Sequence, residues 1–284
     1  MTRSVLAIDI GGTKLAAGVV GDDGTLIEHR RVPTPTGEDP EVLWNTLTAL
    51  IDGCTATDDA VAVGVGCGGP MSLGGEHVSP LNIPAWRNFP LRARLAEHCA
   101  LPVWVDNDAK ALALGEGWVG AATGERDFIG MVVSTGIGGG IMCDGRLLDG
   151  AGGNAGHVGH VIVEPDGHEC GCGARGCVEA EASGSAIERI TGRPAADAPL
   201  DVRVRCGTLV GRAIASVANL LDLQLAVVSG GVALGYGDVF FEAAQAEVDA
   251  RCRLDFSRST LVVPGALRER GPLVGAARVA FLRL

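Results

Sequence analysis

Aromatic residues are scarce in this chain, at 4% of 284 positions, with a single tyrosine. Stacking platforms for bases or exposed sugar rings must therefore be few. Cations are also in the minority: 23 lysines and arginines face 34 acids, a net charge of −11. Nucleic-acid surfaces need clustered cations to displace counterions, so that balance argues against one. No uninterrupted apolar run approaches about 18 residues, the length a membrane-spanning helix requires. The first residues, Met1-Thr2-Arg3-Ser4, run straight into a strand-like segment. No room is left for a secretory leader, and a cytoplasmic location is expected. Nine cysteines, odd in number and unevenly spread, do not form a disulfide framework and suit a reducing compartment. The Walker phosphate-binding pattern is missing as well.

Apolar residues and glycine are what the chain has in quantity. An apolar share of 47% fits a compact globule, and many of the 43 glycines fall in short runs that suit tight loops and close backbone approach. The stretch from Val5 to Ile10 is apolar and β-prone, Gly11-Gly12-Thr13-Lys14 interrupts it, and Leu15 to Val20 resumes before an Asp23-Gly24 turn. The design returns later. Phe128 to Val133 is followed by Ser134-Thr135-Gly136-Ile137-Gly138-Gly139-Gly140 and then by Asp144-Gly145. Two related domains, each opening with a hairpin, are predicted.

Helical spacing is seen at Leu43, Leu47, Leu50 and Ile51, and at Leu91, Leu95 and Cys99; strands are predicted at 61–65 and 103–105. In the second half the pattern predicts a buried helix over 209–223, a strand over 225–228, an amphipathic helix over 240–252 and a strand over 261–263. A terminal helix over 272–284 opens at Pro272. Alternation of strands and helices indicates α/β layers with mostly parallel order. The repeat places a domain boundary near 106–110, giving residues 1–107 and 108–271, with the helix 272–284 packing back on the first.

Asp9 at the end of a buried strand, followed by Gly11, Gly12, Thr13 and Lys14, suits a nucleotide tail. The glycines let N–H groups approach phosphate oxygens, Thr13 adds a hydroxyl, Lys14 adds a cation, and Asp9 could hold hydrated Mg²⁺. The loop Thr135, Gly136, Gly138 and Gly139 can grip a polyphosphate in the same manner, and Gly230-Gly231 lies at a strand end, where α/β sheets bind ligands. Gly64-x-Gly66-x-x-Gly69 matches the dinucleotide fingerprint by spacing, yet Pro70 and Gly74-Gly75 stand where its helix should begin, so it is predicted to be a loop lining a ligand site. Asp106-Asn107-Asp108 closes the 103–105 strand before a helix. Asp108 there could serve as a general base or merely as a helix cap.

Cys170-x-Cys172-x₄-Cys177 in a reducing compartment points to metal: three thiolates and an imidazole make a closed tetrahedral Zn²⁺ site. His157, His160 and His168 are the candidate fourth ligands, His168 being too near Cys170 to be favoured.

Asp9-Ile10-Gly11-Gly12-Thr13-Lys14, the 134–140 loop and the cysteine segment resemble, in order and across essentially the whole chain, the ROK family of bacterial sugar kinases and sugar-responsive repressors. The resemblance implies a two-domain actin/hexokinase-like (ribonuclease H-like) fold with a deep interdomain cleft and a zinc loop, and a homodimer. It implies that Asp108, in Asn107-Asp108 with Ala109 and Gly115-Glu116, is the base that takes a proton from the 6-hydroxyl of a hexose or N-acetylhexosamine during transfer from ATP. It selects His160 as the zinc ligand beside Cys170, Cys172 and Cys177. It also assigns Gly69, Asn82, Asn107, His157, His160 and Glu179 to the sugar.

One departure bears on the sugar. The family's Gly-Glu-x-Gly-His is here Gly156-His157-Val158-Gly159-His160, and an imidazole can donate where a carboxylate only accepts. That form, like the stretch Ala7 to Ala17, resembles the N-acetylmannosamine kinase branch. Asn82-Ile83-Pro84-Ala85-Trp86 resembles the glucokinase sugar loop instead. N-acetylmannosamine is therefore the expected substrate and glucose the alternative. A repressor would carry a DNA-binding domain ahead of the first glycine loop, whereas eight residues precede Asp9.

Overall fold

A computed structural model describes residues 3–284. Among these residues two five-stranded sheets form, each in its own compact unit.

Unit 1 comprises residues up to 119 together with 149–155 and 269–284. Its strands are β1 (Ser4–Ile10), β2 (Lys14–Gly21), β3 (Leu26–Pro33), β4 (Ala60–Cys67) and β5 (Val103–Asn107), in spatial order β3-β2-β1-β4-β5. β1 pairs antiparallel with β2 and parallel with β4, so the glycine turn and the carboxyl ends of β4 and β5 share one end of the sheet. Every residue of β1 is buried, as expected of a central strand covered on both faces. β3, by contrast, reads Leu-Ile-Glu-His-Arg-Arg-Val-Pro and is half exposed. Its charges blunt a sheet edge. They also hide it from an apolar-run search, so the sequence pattern does not predict it.

Helix α1 (Pro40–Asp52) starts where Asp39 accepts the Glu41 N–H at 2.9 Å and Pro40 fixes the first turn. The spacing of Leu43, Leu47, Leu50 and Ile51 buries one face, as predicted. Helix α2 (Leu91–Cys99) ends on a left-handed Ala100 before Pro102. Helix α3 (Asp108–Val119) follows β5 directly.

Unit 2 comprises 120–148 and 156–268. After β6 (Phe128–Val133), β7 (Ile137–Cys143) and the two-residue β8 (Arg146–Leu147), a long excursion carries α4 (Val178–Ala182), α5 (Gly184–Thr191) and α6 (Leu200–Leu221). Then come β9 (Leu225–Ser229), α7 (Gly231–Tyr236), α8 (Asp238–Arg251) and β10 (Leu261–Pro264), in sheet order β10-β9-β6-β7-β8. Substituting each strand by its counterpart five positions earlier reproduces the first sheet. The predicted duplication is thus present strand for strand.

Helix α6 begins at Leu200 and not at 209, because Asp201, Arg203 and Arg205 in its first turns conceal the apolar period. By length and composition α6 could cross a membrane, the one such helix among the described residues. More than half of its most apolar window is buried in this unit, however, where its face joins the core with Phe240, Ala244 and Val248 of α8. Gly207 and Gly211 let the two helices approach closely: a Cβ at either would lie 2.4 Å from a carbonyl oxygen of α8.

The last helix, α9 (Gly271–Phe281), belongs to unit 1 and packs on β1, β4 and α3. Its contact with α3 is so tight that a Cβ on Gly275 would sit 2.2 Å from the Ala111 carbonyl oxygen. α3 is thereby held in unit 1, and the division falls after Val119, not after Asn107. Gly64 has the same use: a Cβ there would meet the Ala276 oxygen at 2.0 Å. The fingerprint-like glycines 64 and 66 lie inside β4 and serve packing.

Candidate functional site

In unit 1 the Gly11–Lys14 turn closes with the Gly11 N–H donating to the Lys14 carbonyl at 3.0 Å. Thr34, just past the end of β3, pins the turn, its hydroxyl donating to the Gly11 carbonyl at 2.6 Å. Gly12, Thr13 and Lys14 are exposed. Gly12 abuts Asn82, since a Cβ on Gly12 would fall 2.7 Å from the Asn82 Cβ. Gly69 joins them, its carbonyl accepting the Leu81 N–H at 3.1 Å. Asn82 is itself exposed, while Trp86 of the same loop is fully buried and stacks on Phe89 with ring centres 4.2 Å apart. The tryptophan is core. The asparagine is the part of the loop free to meet a ligand.

Asp9 is 7% exposed. Burial, reinforced by the charge of Asp108 and partly offset by Lys14, raises its carboxyl to about 7. A carboxylate so destabilised gains from a cation, so the donor set fits Mg²⁺. The Cys67 thiol, buried at the end of β4, is pushed up by that burial and by Asp108 and Asp9.

At the Asn107-Asp108 junction both side chains meet the start of α3, Asp108 Oδ1 accepting the Ala109 N–H at 2.9 Å. Asn107 Oδ1 accepts the N–H groups of Ala109 and Lys110 at 3.0 and 3.3 Å and so caps α3 itself. Asp108 stands one position inside the helix, half-buried, and its Cα lies 3.4 Å from the Cβ position of Gly66. A methyl group at Gly66 would thus rest in ordinary contact with Asp108 and Ala111.

In unit 2 the expected loop is split. Thr135 and Gly136 form the turn between β6 and β7, whereas Gly138 and Gly139 lie within β7. Gly139 permits close packing, with Val158 2.8 Å from its Cβ position. Ser134 and Thr135 carbonyls accept the N–H groups of Gly184 and Ser185 at 2.7 and 3.1 Å, tying the turn to α5. Gly230, at φ 103°, passes so close to Val133 that a Cβ would meet its oxygen at 2.3 Å, and Gly231 opens α7.

The metal-type side chains also come together here. One ligand atom each from His160, Cys170, Cys172 and Cys177 lie within 4.8 Å of one another. The His160 Nδ1 to Cys170 Sγ distance is 3.6 Å and the Cys172 to Cys177 sulfur distance is 3.8 Å. A tetrahedron with metal–sulfur bonds of about 2.3 Å has edges of about 3.8 Å, so four donors at this spacing fit Zn²⁺. His168 is excluded, because its Nδ1 faces Glu181 at 3.0 Å. Glu179 is reached one turn on; its Oε2 accepts the Ile137 N–H at 2.8 Å, which fixes one carboxylate oxygen and leaves the other. His157 lies near His160, the rings 6.2 Å apart and almost parallel.

Two buried charged residues, Glu181 and Lys110, escaped the sequence reading. Glu181, buried at 2% exposure, accepts from Arg205 at 2.6 Å and from the His168 backbone. Burial alone would raise it, but these donors hold it below the usual carboxylate range. Lys110 is buried between Asp106 and Asp149. Asp106, four positions before Lys110 at the end of β5, is near in sequence; Asp149 and Arg205 are distant.

Paired sheets of this order, with a phosphate-suited glycine turn in one and a thiolate cluster in the other, define the actin/hexokinase-like class. The chain belongs to the ROK family, whose pattern it matches over residues 5–281. It is similar to the N-acetylmannosamine kinase of Citrobacter koseri, 39% identical over 252 residues that cover 82% of this chain and 85% of the relative. Among solved structures it resembles a ROK family glucokinase from Streptomyces griseus in complex with glucose and AMPPNP, with TM-score 0.85 and 31% identity over 96% of this chain and 98% of that one. It also resembles the ROK hexokinase of Thermus thermophilus, with TM-score 0.81 and 34% identity over 99% of both chains.

Proposed function

We propose that this protein is a kinase that moves the terminal phosphoryl group of ATP to the 6-hydroxyl of N-acetylmannosamine. The observation that carries the reading is the start of α3, where Asn107 caps the helix and the half-buried Asp108 stands close enough to Asp9 for its charge to raise that carboxyl. A sugar hydroxyl is far too weak an acid to ionise unaided at neutral pH, and a carboxylate in reach of the departing proton assists transfer. The sugar oxygen bonds to the terminal phosphorus as the bond from phosphorus to the ADP oxygen breaks, and the proton passes to Asp108.

Gly11, Gly12, Thr13 and Lys14 would bind the nucleotide phosphates, with Thr135, Gly136, Gly138, Gly139, Gly230 and Gly231 serving the same ligand from unit 2. Asp9 would hold hydrated Mg²⁺, which supplies charge neutralisation on the phosphates. Gly69, Asn82, Asn107, His157, His160 and Glu179 would orient the sugar. His160 can serve twice, since Nδ1 turned toward Cys170 leaves Nε2 free. A zinc held by His160, Cys170, Cys172 and Cys177 would have its four positions filled by protein and would shape the Glu179 loop without entering the chemistry. The free cysteines suit the reducing cytoplasm, and family likeness favours a homodimer.

His157 in place of the family's glutamate, together with relatives named N-acetylmannosamine kinase, favours the N-acetylated sugar. Glucose is the second reading, supported by the 82–86 loop and by the likeness to the Streptomyces griseus glucokinase. A non-catalytic, sugar-sensing regulator is the reading of another class, and the net charge of −11 weighs against it. A coupled ADP-release assay over glucose, mannose, fructose, N-acetylglucosamine and N-acetylmannosamine decides. The highest kcat/KM is expected with N-acetylmannosamine. Best turnover on glucose would move the assignment, and no sugar-dependent ADP release would favour the regulator.

A further inference from the structure

Lys110 is only 2% exposed, and a buried ammonium requires partners. It has one for each proton: Asp106 Oδ1 at 3.0 Å, Asp149 Oδ1 at 2.7 Å and the Gly153 carbonyl at 3.2 Å. Asp106 lies four positions back at the end of β5, and the same Oδ1 accepts the Asn107 N–H at 2.8 Å. The other two acceptors lie far along the chain, in a strap of residues 149–155 that reads Asp-Gly-Ala-Gly-Gly-Asn-Ala.

The strap's polar ties to the rest of the unit run through Lys110 and Asn154. The strap is mostly exposed, and none of its side chains enters an apolar core. Asn154 pairs with the backbone of Met71 at 3.4 and 3.3 Å, near the long limit for hydrogen bonds. The charged tie to Lys110 is shorter and stronger. A lysine that only tied α3 to the end of β5 would need Asp106 alone and could stay in water, as exposed ion pairs do. Reaching the strap is what requires its burial. In the chain Lys110 comes two positions after Asp108, and His157 comes two positions after the end of the strap.

We infer that Lys110 is a positioning residue for the sugar: its ammonium clasps the Asp149 strap to the first turn of α3, and so fixes the conformation in which the chain enters the His157 segment. The inference rests on the kinase reading above. A clasp of this kind predicts a split between the two substrates, because the strap leads to a sugar-binding histidine and not to the nucleotide turn at Gly11–Lys14.

Steady-state kinetics on the full chain, varying sugar and ATP separately, test it with Asp149→Asn, Lys110→Met and the double variant. The Asp149 side chain is 53% exposed, so Asp149→Asn should fold normally and keeps the test decisive even if Lys110→Met does not. The sugar KM should rise about 5- to 20-fold in Asp149→Asn, with the ATP KM and the melting temperature almost unchanged. Adding Asp149→Asn to Lys110→Met should have no further effect, since the partner is already gone. A sugar KM within twofold of wild type in Asp149→Asn, equal rises in both KM values, or fully additive effects would overturn the clasp. A wild-type chain with no sugar-dependent ADP release would remove the kinase reading and this inference together, a result distinct from an active enzyme with indifferent variants.

Discussion

Asp9 in one unit and Glu181 in the other are both buried carboxylates, and the two are treated in opposite ways. Asp9 in unit 1 is raised to about 7 by burial and by the neighbouring charge of Asp108, with only Lys14 in opposition. Glu181 in unit 2 is held low by Arg205 and His168 despite its burial. The same sheet order therefore carries two electrostatic designs. Unit 1 leaves its acid uncompensated, which suits a ligand that brings its own cations. Unit 2 satisfies its acid internally and spends the carboxylate on fixing the loop that runs from Glu164 to His168, ahead of the cysteines. The difference comes from the connection between equivalent strands. From β3 to β4 the chain needs chiefly α1; from β8 to β9 it makes a long excursion containing the metal-type loop, α4, α5 and α6.

The contrast can be broken most severely at Asp108. Asp108→Asn should lower kcat by about 10²- to 10⁴-fold while sugar binding, followed by calorimetry, stays nearly intact. Near-normal turnover would deprive unit 1 of its chemical role. Next in size is the metal. The purified protein should carry about one zinc per chain, and its removal by a chelator, or Cys177→Ser, should cost most of the sugar affinity while nucleotide binding persists. Equal loss of both ligands would show that the loop serves more than the sugar.

The two acids themselves offer a subtler comparison. Asp9 binds a proton in the folded chain up to about pH 7 but releases it near pH 4 when unfolded. Between those limits the folded state holds the extra proton, so stability falls as pH rises, and the penalty is complete above about 7. Urea unfolding of metal- and nucleotide-free protein should show the wild type losing about 2–3 kcal/mol relative to Asp9→Asn between pH 5 and pH 8. A pH-independent difference would mean that Asp9 is not strained. The smallest expected effect is mechanical. Gly275→Ala should destabilise the chain by about 1–3 kcal/mol, because its methyl group would meet the backbone of Ala111. No change in unfolding midpoint would show that α9 can shift to make room.

Much of this was legible in the sequence. The hairpins at Gly11–Lys14 and Thr135–Gly136 announce themselves through apolar runs broken by glycine, and the Cys170–Cys177 spacing announces a metal. What escaped detection was whatever trades apolar signal for charge: the edge strand β3 with Glu28, Arg30 and Arg31, and the first turns of α6. Long-range pairings such as Lys110 with Asp149 were beyond reach too, since spacing along a chain says nothing of partners 39 residues away. The glycines of β7 misled in another way. Gly138 and Gly139 read as loop, but a glycine that lets two segments touch looks the same in sequence as one that lets a turn form.

The return of α9 to the first unit has a consequence for biosynthesis. While residues beyond 268 remain inside the ribosome, the surfaces of β1, β4 and α3 that α9 covers must wait, exposed and apolar. Unit 2 can complete its sheet at β10, before α9 is made, so the earlier half of the chain closes its core after the later half has been synthesised.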